Sequence, residues 1–380
     1  MKKEAHVLDL FSGPGGLSEG FNTAKIGNHT FRSVVANDND VHASVTYRKN
    51  HPGVEFVLGD ISASEIKRKI VRAIKAETGM NTVDVIIGGP PCKGFSLTNK
   101  MTRNMKNPMN RLVMDYVAMI RKLKPKAFVM ENVPGIFAME GGKIVKDLIS
   151  EFRSMGYYNT DSWLLNAADY GVPQIRKRAF IVGSRSRIPI EKPRTTHGSN
   201  GQAPRVSVFD AISDLPKIPD GSSSSRAAYK KPPNKFQRQL RNGQRKPTQH
   251  VTTKNSDLVL KRIRKVPSGG NWKDIPRELM QVNGDYEKIQ KAHSMIYRRL
   301  IKTEPSVTIT NFRKGMIIHP TEHRLFSVRE AARIQTFPDS YKFEGGLSSM
   351  QQQVSDAVPV FLAKKVAEAI LAHLEMDHKL

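Results

Sequence analysis

Cysteine is almost missing from this chain: Cys92 is the only one among 380 residues. A single thiol excludes any disulfide within the chain and fits a reducing compartment. Long apolar runs are missing as well. No uninterrupted stretch reaches membrane-spanning length. The opening residues, Met1-Lys-Lys-Glu-Ala-His-Val-Leu-Asp-Leu10, enter a strand at once instead of the apolar core of a signal peptide. These absences predict a cytoplasmic protein with no membrane partner. No internal repeat is found. Acidic residues are scarce beside basic ones, 35 against 61, for a formal net charge of +26. Such an excess costs self-repulsion in the compact state unless a polyanion relieves it. Nucleic acid is the favoured partner, because no basic amphipathic helix with a coherent apolar face suggests a membrane surface.

What is present is ordinary globular material, 38% hydrophobic and 25% charged, which excludes a disordered or fibrous chain. From Val7 to about Gly183 short β-rich runs alternate with helical patterns. Expected strands are Val7–Leu10, Ser33–Ala36, Glu55–Leu58, Val83–Ile87, Ala127–Met130, Trp163–Asn166 and Ala179–Val182; expected helices include Glu65–Lys75, Arg111–Leu123 and Lys143–Met155. That order predicts an α/β fold with a mostly parallel sheet covered by helices. From Ser184 to about Ile301 the chain turns rich in Pro, Ser, Gly, Lys and Arg. A solvated linker would read this way, but Trp272, several other aromatics and the β-like Val251–Thr253 favour a small irregular domain. Helical periodicity returns in Arg329–Gln335 and in the amphipathic Phe361–Leu374, which is expected to close the first domain.

Five constellations carry chemistry. Asp9-Leu-Phe-Ser-Gly-Pro-Gly-Gly-Leu-Ser-Glu-Gly-Phe21 is a strand, a glycine turn and a helix start, which lets backbone amides approach a nucleotide-like ligand. The dinucleotide fingerprint needs a third glycine after Gly13 and Gly15; Ser18 stands there, which disfavours a nicotinamide cofactor. Asp38 and Asp60 end the next two strands, where carboxylates can accept ribose hydroxyls and an adenine amino group. Taken singly, either is equally well a helix N-cap. Cys92 follows Gly88-Gly-Pro-Pro91, an abrupt strand end that presents the thiol on a rigid turn. Glu131, in Phe128-Val-Met-Glu-Asn-Val-Pro-Gly135, is expected on the same sheet edge, desolvated enough to donate a proton near neutrality. Finally, Gln174-Ile-Arg-Lys-Arg178 puts Gln174, Arg176 and Arg178 on one face of an incipient strand, where guanidiniums can hold a carbonyl or phosphate and favour a nearby thiolate.

These residues together resemble the DNA (cytosine-5) methyltransferase family. The glycine turn, Gly-Pro-Pro-Cys, Glu-Asn-Val, Gln-x-Arg-x-Arg and Arg329-Glu-Ala-Ala-Arg-Ile-Gln335 occur in the family's order, from Asp9 to Val182 and again from Arg299 to about Leu374. The resemblance implies a Rossmann-like, S-adenosylmethionine-dependent methyltransferase sheet with a smaller target-recognition domain that reads double-stranded DNA. The implied boundaries are a catalytic domain over 1–183, a DNA-reading domain over 184–347 and a returning segment over 348–380. Phe11 would lie against the adenine, Asp38 would hold the ribose, and Asp60 with Ile61 would reach the adenine edge. Pro90 and Leu112 would complete a pocket that also takes in Ser12, Gly13, Gly15, Gly16, Leu17, Asn39, Asp356 and Ala357. Cys92 would add to carbon 6 of the cytosine, Glu131 would serve N3 and the amino group, and Arg176 with Arg178 would clamp the carbonyl and a phosphate. No metal is expected. The family implies a monomer, nucleoid-associated in a prokaryote or virus, with a restriction endonuclease as functional partner.

Three positions depart from the family's pattern. Lys93 follows the cysteine where glutamine is usual, and is expected to contact a phosphate or to depress the Cys92 pKa. Asn39 replaces the bulky apolar residue after the ribose acid. Ser355-Asp356 stands where Gly-Asn is usual, so the aspartate calls for a shifted pKa or for compensation by a nearby arginine. The loop 96–110 reads as a lid over an extruded base. Two other functions use the same framework: a transfer-RNA cytosine-5 methyltransferase, and a catalytically silent DNA-binding regulator. The long basic insertion argues for duplex DNA over the first, and the intact Cys92, Glu131, Arg176 and Arg178 set argues against the second.

Overall fold

The computed structural model describes residues 3–91, 111–224, 227–230, 233–281, 295–312 and 314–377. Two compact units result, one of residues 1–170, 177–195 and 358–380, the other of residues 171–176 and 196–357. The divisions fall at 195/196 and 357/358, against the expected 183/184 and 347/348, and the short stretch Gly171–Arg176 joins the second unit.

The first unit is an α/β sheet. In chain order it contains β1 (Lys3–Leu10), α1 (Gly16–Asn22), β2 (Lys25–Ile26), β3 (His29–Asp38), α2 (Val41–Asn50), β4 (Glu55–Leu58), α3 (Ser64–Thr78) and β5 (Val85–Gly88). Then come α4 (Arg111–Leu123), β6 (Ala127–Asn132), α5 (Lys143–Ser154), β7 (Asn159–Asn166) and β8 (Lys177–Ser184). The strands lie in the order β2-β3-β1-β5-β6-β8-β7, with β4 also pairing β3. Ladders among β4, β3, β1, β5 and β6 are parallel. Those of β2 with β3 and of β8 with β6 and β7 are antiparallel, so the sheet is mixed at both margins.

Alternation along β1 separates the two faces. Leu8 and Leu10 join a cluster built from Ile70 and Ile74 of α3, Tyr116 and Ile120 of α4, and Leu148 and Phe152 of α5. These helix positions recur at three or four residues, the spacing that lays one apolar stripe against a sheet. Asp9 projects the other way, toward Ser18 of α1.

The second unit has short helices joined by irregular chain: α6 (Val208–Ile212), α7 (Lys235–Arg241), α8 (Asp257–Lys265), α9 (Arg277–Met280), α10 (Val328–Ile334) and α11 (Leu347–Asp356). Trp272, Ile263, Val266, Ile275 and Tyr297 form a core of its own, so this basic stretch is folded and not a linker. Elsewhere its apolar interior, with Phe326, Ile334, Phe337 and Phe343, also holds paired charge. Arg333 of α10 is fully buried and held by Asp339 at 2.6 Å and by Asp214, and Arg324 forks onto Glu330 at 2.7 and 2.8 Å. The last helix, α12 (Val360–Asp377), returns to the first unit and packs on α1.

Candidate active site

The carboxyl ends of the parallel strands build the site. After β1 the backbone enters the left-handed region at Phe11 (φ 56°), Gly13 (φ 53°) and Gly15 (φ 96°). For a phenylalanine this conformation costs about 1–3 kcal/mol and persists only where surroundings enforce it. Enforcement is visible: Ser12 N donates to Asn37 O at 3.1 Å and Gly13 N to the Asp38 carboxylate at 2.8 Å. A Cβ added at Gly13 would meet nothing within 4 Å, so the turn faces open space. Ser12 Oγ is buried without a hydrogen-bond partner among the described residues. An orphaned hydroxyl on a strained glycine turn beside a carboxylate is what a nucleotide-like cofactor would complete.

Behind the turn lies a group that the motif reading passed over. Asp9 is fully buried, accepts a hydrogen bond from Ser18 Oγ at 2.7 Å, and burial pushes its carboxyl up to about 8. Ser18 Oγ also meets Tyr47 OH at 2.6 Å. The third-glycine position is therefore a hydroxyl that bolts α1 to β1. The available signal was an acid inside an otherwise apolar strand.

The two candidate adenosine ligands differ. Asp38 is part-buried, and burial raises its carboxyl above the ordinary range while the amides of Asp40 and Gly13 oppose that rise. Asp60 is exposed, with one oxygen accepting from Ser62 N at 2.9 Å. Neither caps a helix. The α2 cap is Asp40, which accepts from Ala43 N, and α3 starts after Ala63. Ile61 is buried, Asn39 exposed, and Phe11 and Leu112 lean on the core cluster.

The ends of β5 and β6 are adjacent. Gly88 is obligatory, because a Cβ there would stand 2.5 Å from Leu10 O. A Cβ on Gly89 would stand 3.0 Å from Glu131 Oε2, so that glycine makes room for the acid. Asn132 Nδ2 donates to Pro90 O at 3.1 Å, tying the Pro90-Pro91 turn to β6. Glu131 is 2.9 Å from Nε of Arg178, with both side chains about nine-tenths covered. The helical segment after Val133 receives no side-chain cap, so Glu131 is not spent on one. Cys92, Lys93 and the loop 96–110 lie outside the described residues.

Alternation from 174 to 178 holds, with Gln174 and Arg176 buried, Ile175 and Lys177 exposed, and Arg178 part-buried. The two arginines nevertheless go to different tasks. Arg176 donates to the carbonyls of Ile309, Ser355 and Ala357 at 3.0–3.2 Å, all within the second unit. Gln174 accepts from Ile309 N and donates to Gln335, whose own amide reaches Val354 O. Arg176 thus straps backbone together, while Arg178 sits beside Glu131. At the Ser355-Asp356 departure, Ser355 Oγ donates to Thr310 O at 2.6 Å, and Gln352 Nε2 reaches both Asp356 oxygens at 2.7 and 2.8 Å. A glutamine amide one turn earlier is thus one partner of the Asp356 carboxylate. Ala357 is buried and Asp356 exposed.

In the first unit, then, one sheet edge collects a strained glycine turn, a carboxylate on that turn, and an acid–guanidinium pair beside a rigid Gly-Gly-Pro-Pro turn. Such a set can hold an adenosine-bearing cofactor and offer an acid and a guanidinium beside the Pro90-Pro91 turn. The profile of the family described as C-5 cytosine-specific DNA methylase matches residues 5–372. The type II methyltransferase M.DdeI of Desulfomicrobium norvegicum is 36% identical over 384 residues, covering 97% of this chain and 89% of that protein. M1.HphI of Haemophilus parahaemolyticus, also a type II methyltransferase, is 34% identical over 96% of this chain and 86% of its own. Among solved structures, a prophage-encoded protein of E. coli described as a DNA modification methyltransferase superposes with a TM-score of 0.73 at 26% identity, covering 98% and 99% of the two chains.

Proposed function

The chain belongs to the C-5 cytosine-specific DNA methylase family, and from that premise we propose that Cys92, Glu131 and Arg178 carry methyl transfer to carbon 5 of a cytosine in duplex DNA. The protein is a DNA (cytosine-5) methyltransferase, and S-adenosylmethionine is its methyl donor. The observation that supports these residue roles is the Glu131–Arg178 pair, 2.9 Å apart at the end of β6 beside the turn that leads into Cys92.

Carbon 5 of cytosine is too weak a nucleophile to react unaided. The Cys92 thiolate adds to carbon 6 while a proton reaches N3 from Glu131, which leaves an enamine with its electron pair on carbon 5. When bound, the cofactor supplies an electrophilic methyl group at that carbon. Loss of the carbon-5 proton to a base then expels the thiolate, the N3 proton returns to Glu131, and the aromatic ring is restored, with the spent donor leaving as a neutral thioether. A free thiol has a pKa of about 8.5, so a nearby guanidinium favours the attacking form. Arg178 also keeps the Glu131 carboxyl oriented, and it offers a donor to the base carbonyl. Arg176 serves as a positioning residue through the backbone of Ile309, Ser355 and Ala357. Phe11 to Leu17, Asp38, Asn39, Asp60, Ile61, Pro90 and Leu112 would hold the donor, which the strained turn and orphaned Ser12 hydroxyl support. Because the target ring is stacked in a duplex, it must be extruded at a cost of a few kcal/mol.

The basic stretch 184–347 is assigned to reading the DNA. The finer setting is a monomer in the cytoplasm, on the nucleoid, alongside a restriction endonuclease. The type II naming of the relatives supports the endonuclease partner; among the described residues no helix is long and apolar enough to cross a membrane. The decisive experiment incubates the protein with labelled donor and duplex DNA carrying 5-fluorocytosine. A covalent protein–DNA adduct forms with the wild type and not with Cys92→Ser; an adduct with both would overturn the role of Cys92.

A further inference from the structure

In the second unit, α7 ends in two successive left-handed residues, Asn242 (φ 42°) and Gly243 (φ 83°), and the chain curls through residues 243–249 around a shallow concavity. The base of this loop is fixed. Thr248 accepts two hydrogen bonds from the fully buried Arg329, at its carbonyl (2.8 Å) and its hydroxyl (2.7 Å), and its hydroxyl donates to Asp339 O at 2.6 Å. Gln249 uses its amide on both the N–H and the carbonyl of Phe343, and Gln244 N closes onto Arg241 O at 2.8 Å. The tip, Gln244-Arg245-Lys246, stays exposed.

Charge is distributed unevenly over this frame. Arg241 goes to Asp214 and stacks on Tyr229, Arg333 goes to Asp214 and Asp339, and Arg324 goes to Glu330 and Glu322. Arg245 and Lys246, by contrast, make no hydrogen bond or ion pair among the described residues. Two adjacent cations on an anchored loop repel each other and meet no acid among the described residues, in a chain that already carries +26. The missing partner is an external anion, and a rigid base lowers the ordering cost of meeting it.

We propose that Arg245 and Lys246 form a phosphate clamp on the backbone of duplex DNA, a contact that sets position and affinity without reading sequence. The inference rests on the function proposed above. It is tested by the binding of wild type and the Arg245→Ala/Lys246→Ala variant to two duplexes, one carrying the methylated site and one lacking it, across a salt series. Each phosphate neutralised contributes about 0.9 to the slope of log affinity against log salt. The slope should therefore become shallower by about 2 on both duplexes, while the thermal unfolding of the variant matches the wild type. An unchanged slope overturns the clamp, and so does a loss confined to the duplex with the site, which would mean base reading. If the wild type itself neither binds nor methylates duplex DNA, the underlying function fails instead.

Discussion

Glu131 Oε1, on the last rung but one of the β6–β8 ladder, and Arg178 Nε, one residue past its last rung (Asn132 with Ala179), meet at 2.9 Å. The ladder is antiparallel, so residues some fifty positions apart in sequence are brought side by side where β5 releases the chain toward Cys92.

Replacing Glu131 by Gln keeps shape and removes the transferable proton. Single-turnover methylation should fall by about 10²–10⁴-fold, the range of general acid–base contributions; a rate within twofold of wild type would contradict the assignment. Arg178→Ala should also destabilise the fold by about 1–3 kcal/mol, because a covered carboxylate loses its partner. Arg178→Lys should restore stability better than activity, since an ammonium lacks the planar fork.

Asp9 makes stability fall with rising pH. Burial raises its carboxyl from 3.8 to about 8, so the folded chain prefers it neutral. Its contribution is complete below the unfolded value and is lost as pH climbs through the folded one. Asp9→Asn removes this dependence while retaining an acceptor for Ser18. Urea unfolding at pH 5 and pH 8 should show a smaller loss for the variant than for the wild type; equal losses would place the titration elsewhere.

Gly20 of α1 faces α12 so closely that an added Cβ would overlap Ala363 Cβ and stand 2.7 Å from Lys364 N. Gly20→Ala should cost about 1–3 kcal/mol, the usual penalty of overpacking. Ala363→Gly in the same chain should return only part of that, since the backbone of Lys364 stays in place. Calorimetry of the three variants checks both.

Arg333→Met takes the fully buried guanidinium from two buried carboxylates, leaving Asp214 with Arg241 and Asp339 with Tyr229 and the more distant Arg329. Breaking one side of a buried charge network costs about 3–5 kcal/mol. The second unit should therefore become protease-sensitive at temperatures where the wild type resists, and a variant as resistant as the wild type would show that those charges find other partners.

The strand-and-helix order of the first unit was legible because buried parallel strands are continuous apolar runs and their covering helices keep a three-to-four spacing. Glu55–Leu58 is recovered to the residue, and so is the helix end at Leu123. Helix α2 has no legible sequence pattern because its apolar positions are weak; the capping oxygen of Asp40 defines its start. In the second unit periodicity is faint, since much of its interior is paired charge, and a sequence scan registers such residues as surface.

The sequence by itself determined the chemistry on offer: one thiol, acids at strand ends, a glycine turn, and a large positive charge. Those follow from residue type and local spacing, which need no knowledge of distant chain. Tertiary structure alone decided which of two neighbouring arginines faces the acid. Arg176 donates to carbonyls as far as 181 positions away, whereas Arg178, two residues later, meets Glu131 at 2.9 Å. It also decided that Asp9 is kept uncharged, because desolvation depends on everything packed around a group and on nothing in its immediate sequence.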